Sequence, residues 1–162
     1  MKNKGFTLIE LMIAISLVLI MTVSGSIYLN DFNRRQKLDG VTNNVKSMVS
    51  QAQNYAKVKQ PPHGDSSGEV KYVQLYKTVA GNIEAKVNDV GTTYFSNKIS
   101  ESEITITFGQ PILYFWGGTG QMSSDVNGNF FDSNQTTSIT IMLNQGVAET
   151  RNVIINSLGG VQ

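Results

Sequence analysis

Residues 6–29 (FTLIELMIAISLVLIMTVSGSIYL) form an almost wholly apolar run in which Glu10 is the only charge. At 1.5 Å of rise per residue, roughly 24 residues make a helix of about 36 Å, enough to cross a hydrocarbon core of about 30 Å with some tilt. The 13 Leu, Ile, Val and Phe residues of the run favour insertion by roughly 4 to 8 kcal/mol. Against that stands about 2.5 to 3.5 kcal/mol for a carboxylate at the bilayer centre, and less near an end. Such a charge needs a partner. If the chain is cut after Gly5, the new amino terminus on Phe6 stands four residues from Glu10, roughly one helical turn away. Within one subunit the leading amine is awkwardly placed, but a neighbouring helix offset along the axis could present its amine to this carboxylate and so set an assembly register.

The segment Lys4-Gly5-Phe6-Thr7-Leu8-Ile9-Glu10-Leu11, followed by a long apolar helix, resembles the cleavage and methylation motif of type IV prepilins and type II secretion pseudopilins. The resemblance implies that a membrane prepilin peptidase cuts after Gly5 and that the new amine of Phe6 is methylated, while Glu10 guides docking. It further implies other pilin or pseudopilin subunits as partners through helix packing, an inner-membrane assembly platform, and lipid around the helix before assembly. The expected location is a single-pass inner membrane protein with its C-terminal domain outside the cytoplasm, and then a pilus or pseudopilus. Two plainer readings share part of this pattern. A secretory signal peptide would start with Lys2 and Lys4 and could end at Ser24, Gly25 and Ser26, although the apolar run exceeds the roughly 7 to 15 residues such a core needs. A simple signal anchor would share the topology, with Arg34, Arg35 and Lys37 on the far flank weakening an orientation argument from charge alone.

Past the membrane-length stretch the apolar positions become periodic. Leu38, Val41, Val45, Met48, Ala52 and Tyr55 recur at steps of three and four, while Asn43, Lys46, Gln53, Asn54 and Lys57 can face water. The spacing predicts one helix from about Phe6 to Lys59, ended by Pro61 and Pro62, with Gly25 and Gly40 as its weak points. After the loop PPHGDSSG the character turns to β. Strands are expected at Val70–Val79, Asn82–Val87, Thr92–Phe95, Glu103–Phe108, Ile112–Trp116, Ser138–Leu143 and Arg151–Asn156. The fold class is therefore α+β. A long N-terminal helix, half membrane and half amphipathic, packs on a C-terminal antiparallel sheet domain, as in type IV pilins. The division is a leader at 1–5, a transmembrane and assembly helix at 6–29, an amphipathic helix at 30–60 and a β-rich domain at 61–162.

The segments QAQNYAKVKQPP, ILYFWGGTGQ and SITIMLNQGVAETRNVIINSLGGVQ are similar to the GspH and FimT group of minor pseudopilins and pilins. The chain departs from many pilins in having no cysteine, hence no disulfide-closed C-terminal loop. That also excludes thiolate metal sites. No enzyme constellation is visible. His63 is the only histidine and sits in a Pro-Pro-His-Gly turn, and Gly117, Gly118 and Gly120 are not followed by the lysine of a phosphate loop. No cofactor is expected. Asp125, Asn127, Asn129 and Asp132 gather oxygen ligands of the kind calcium selects, but their order is not that of an EF-hand loop, and a polar hairpin tip explains them as well.

Thirteen basic and 12 acidic residues give a formal charge of +1, and loss of Lys2 and Lys4 would bring it to about −1. Only Arg151 lies in the C-terminal region where FimT-like DNA receptors carry basic residues, so the clustered basic patch that DNA binding requires is absent from the sequence. The reading is a minor pilin or pseudopilin, not an enzyme, that primes or tips a filament. The alternative is a filament-displayed module that captures DNA or a secreted substrate through loops such as Met122 to Thr137.

Overall fold

The computed structural model describes residues 7–63, 68–89, 92–99, 102–144 and 148–162, and at 25–27 the backbone alone. Its elements are one helix, α1 (Leu8–Val58), and eight strands. These are β1 (Tyr72–Lys77), β2 (Asn82–Val87), β3 (Thr93–Lys98), β4 (Ile104–Phe108), β5 (Ile112–Trp116), β6 (Met122–Ser123), β7 (Thr136–Leu143) and β8 (Thr150–Asn156). The chain divides into two compact units, Met1–Lys37 and Leu38–Gln162.

In the first unit, the Leu, Ile, Met and Val side chains of α1 from Leu8 to Val23 are between 52% and 78% exposed. The few hydroxyls in this stretch are satisfied by the helix itself. Ser16, Thr22 and Ser24 donate to the carbonyls of Met12, Val18 and Ile20, each four residues back, at 2.8, 2.8 and 2.9 Å. A helix that pairs its own polar groups in this way presents little to lipid but hydrocarbon.

The second unit is α+β, with the last turns of α1 packed on antiparallel sheet. Leu38, Val41, Val45, Met48 and Ala52 are buried and Tyr55 is partly so, as their spacing predicts, and Val49 and Ala56 join them. The helix stops where the Pro-Pro pair requires. Lys59 takes a left-handed conformation (φ 52°), and the Ala56 carbonyl accepts the N–H groups of both Lys59 (3.2 Å) and Gly118 (2.9 Å).

The strands form two sheets, one of five strands in the order β3-β2-β1-β5-β6 and one of three in the order β4-β7-β8. The sequence suggested a single sheet. The change of partner occurs at Gly109-Gln110-Pro111. The Gly109 N–H still bonds the Ser138 carbonyl (2.8 Å), extending the β4–β7 ladder. Pro111 has no N–H to carry that ladder on. Past it, β5 pairs with β1 in the other sheet, Leu113 opposite Leu75.

Inward positions alternate as expected, with Ile83, Ala85 and Val87 on β2, Ile139, Ile141 and Leu143 on β7, and Val153 and Ile155 on β8 all buried. Phe115, Leu75, Leu113 and Val73 close the core with no exposed surface. A link between the sheets comes from Lys77, whose Nζ donates to the Ile106 carbonyl at 2.9 Å.

Candidate functional site

Of the three residues expected to carry processing and docking, Gly5 and Phe6 lie outside the described residues. Glu10 sits in the first turn of α1. Its carboxylate accepts the Thr7 backbone N–H (3.3 Å) and the Thr7 hydroxyl (3.2 Å), and its own N–H donates to Thr7 Oγ1 (3.4 Å). This is a capping box, in which Thr7 and Glu10 satisfy each other's terminal groups. The pattern Thr-x-x-Glu was legible in the sequence and was missed there because the carboxylate was read for a distant partner. It supplies a local reason for a charge at the edge of an apolar helix, and it uses acceptor positions without neutralising the charge.

Asp125, Asn127 and Asn129 come together as a closed turn. The Asp125 carboxylate accepts the N–H of Asn127 at 2.9 Å, the N–H of Asn129 at 3.2 Å and the side-chain amide of Asn129 at 2.6 Å. Burial pushes its carboxyl up, but the bonds from Asn129 and Asn127 together outweigh this and hold it below the usual carboxylate range. Asp132 has a different engagement, its N–H donating to Gln135 Oε1 at 3.0 Å. Among the described residues no group of three or more His, Asp or Glu side chains is placed to hold a metal ion. The loop is a polar hairpin tip that bonds to itself.

His63 lines a cavity of about 410 Å³ with Tyr55, Gln60, Pro61, Pro62, Thr93 and Tyr94. Tyr55 and Tyr94 stack with centroids 4.3 Å apart, and the Tyr94 hydroxyl donates to the Gln60 carbonyl at 2.6 Å. These lining residues include no carboxylate to orient the imidazole as a base. The glycine run is a turn against the end of α1. A Cβ on Gly117 would stand 2.3 Å from the Val70 carbonyl oxygen, so the close approach of two backbones fixes that residue. Arg151 pairs with Asp39 (Nε to Oδ1, 3.0 Å) and lies 3.8 Å from Glu149 Oε2. Both carboxylates belong to its own unit, and these surface pairs are weak.

One group of side chains had gone unnoticed in the sequence, although aromatic residues two apart in a strand should share a face. Tyr72 meets Tyr114 and Trp116 at centroid distances of 5.6 and 5.9 Å, and Phe130 meets Trp116 edge-on at 5.6 Å. Asp89 accepts the side-chain amide of Gln74 at 2.9 Å. Burial first, and then Asp89, push the Tyr72 phenol up to about 12.

The profile of the prokaryotic N-terminal methylation motif matches residues 1–26. No curated protein and no solved structure matches the chain. Helix α1 is long and apolar enough to cross a membrane, which fits a single-pass pilin. Residues 1–26 carry the N-terminal methylation motif, and with the apolar helical stretch they largely contain they support placing the chain with the type IV prepilin-like proteins.

Proposed function

We propose that the protein is a minor pilin or pseudopilin, a structural subunit cut between Gly5 and Phe6, methylated on the Phe6 amine and assembled through α1. The match of the methylation motif to residues 1–26 carries this reading. The motif implies processing by a prepilin peptidase and assembly with other pilins, and its family is structural. The GspH and FimT-like character and the position at a filament tip rest on the looser resemblance of the distal segments, whereas the inner-membrane platform is implied by the prepilin motif itself. Orientation rests on the prepilin motif rather than on flanking charge, with Lys2 and Lys4 inside and the β domain outside the cytoplasm.

Glu10 is the docking residue in this proposal. Before assembly its carboxylate closes the Thr7 cap. Because that cap leaves the charge in place, a neighbouring helix can still present a cationic N-terminal amine to it inside a water-poor bundle. Glu10→Ala should insert and be cleaved normally, since removing a carboxylate helps insertion. Its recovery in sheared filaments, measured against the membrane pool, should fall about tenfold or more, as expected for loss of a desolvated charge pair. Wild-type recovery of Glu10→Ala in filaments would overturn the docking role.

A further inference from the structure

The loop that follows β6 packs on Trp116. Phe130 meets the indole edge-on, and a Cβ built on Gly128 (φ +82°) would stand 3.2 Å from the ring. The residue before that glycine is Asn127, which is exposed. Asn127-Gly128 is the only Asn-Gly pair in the 162-residue sequence. A glycine has no Cβ to shield its nitrogen, so Asn127 is the one asparagine of the sequence followed by a backbone nitrogen free of that shielding.

We propose that Asn127 is a site of spontaneous, one-way covalent modification that releases the loop from Trp116. The Gly128 nitrogen attacks Cγ of Asn127 and loses its proton to solvent. The new C–N bond closes a five-membered succinimide as the Cγ–Nδ2 bond breaks and ammonia leaves. Water then opens the ring at either carbonyl, giving aspartate or isoaspartate, with no oxidant, reductant or cofactor involved. Both products add a negative charge beside Asp125, where the neutral Asn127 side chain now helps hold the Asp125 carboxylate in its charged form. The two carboxylates repel, and the turn closed on Asp125 Oδ1 by the N–H groups of Asn127 and Asn129 is weakened. The isoaspartate product also inserts an extra backbone carbon before Gly128, which misplaces the glycine that fits against the indole.

The test uses the full-length protein in detergent, aged in mildly alkaline buffer and sampled over time. Peptide masses report the amide-to-acid change at each asparagine. Fluorescence reports the loop, because Trp116 is the only tryptophan. Conversion at Asn127 should exceed that at any other asparagine by about tenfold or more, and the emission should shift to the red in step with it. Asn127→Gln, which keeps the amide but disfavours ring closure, should show neither change. An unmodified Asn127 under conditions that convert an unstructured peptide of the same sequence would overturn the proposal, and so would conversion that leaves the emission unmoved.

Discussion

The two units of this protein treat the same kinds of residue in opposite ways. Leu17 in the first unit is 54% exposed, whereas Leu75 and Leu113 in the second have no exposed surface. In the second unit the core side chains are sequestered by their own domain, so removing one leaves a cavity in a packed interior. In the first, nothing among the described residues of its own unit hides them, which fits a surrounding of hydrocarbon or another helix. The difference is written in the spacing of the residues. Almost continuous apolar sequence from Leu8 to Val23, broken by Glu10, gives a helix apolar on nearly every side, and apolar residues at steps of three and four from Leu38 to Tyr55 give a single buried stripe.

The largest effect that should separate the units is in the core. Phe115→Ala should lower the stability of the second unit by about 3 to 5 kcal/mol, while Leu17→Ala should leave its denaturation midpoint unchanged; urea titration of the detergent-solubilised protein reads both. A comparable change in the midpoint for Leu17→Ala would break the contrast. Next comes insertion. Ile13→Asp should cost about 2.5 to 3.5 kcal/mol in membrane partitioning, visible as loss of the protein from the membrane fraction, with the fold of the second unit intact by circular dichroism.

A third effect belongs to the second unit alone. The Tyr72 phenol is raised to about 12, so its neutral form is favoured by folding. That stability is fully present below the unfolded value near 10 and is lost as pH rises through about 12, up to roughly 2 to 3 kcal/mol in all. Tyr72→Phe should remove most of this alkaline loss, and melting temperatures between pH 9 and 12 check it. The smallest effect concerns the helix start. Thr7→Ala removes a cap worth about 1 kcal/mol and should fray the first turn, seen as faster amide exchange at residues 8–10 with no change in the second unit.

Much of the fold was legible because it depends on local pattern. The expected bounds of β2 and β5 are those observed, and α1 differs from its expected span by only a few residues. β6 escaped because two residues carry no periodicity. The split into two sheets escaped because partner choice is non-local, set at Gly109-Gln110-Pro111 by a ladder that a proline cannot continue. Of the candidate site, the charge at Glu10 stood out against its apolar setting, but its bond to Thr7 was overlooked. The tertiary engagement of Arg151 depends on Asp39, which is 112 residues away in the chain, and no local reading reaches that far.

The central claim is that the first unit is shaped by processing and assembly, and the intact mass of the protein purified from its native membrane tests it most directly. Cleavage after Gly5 with one added methyl, placing N-methyl-Phe6 at the terminus, is the predicted result. A chain still carrying Met1–Gly5, or one beginning near Ser26, would contradict it.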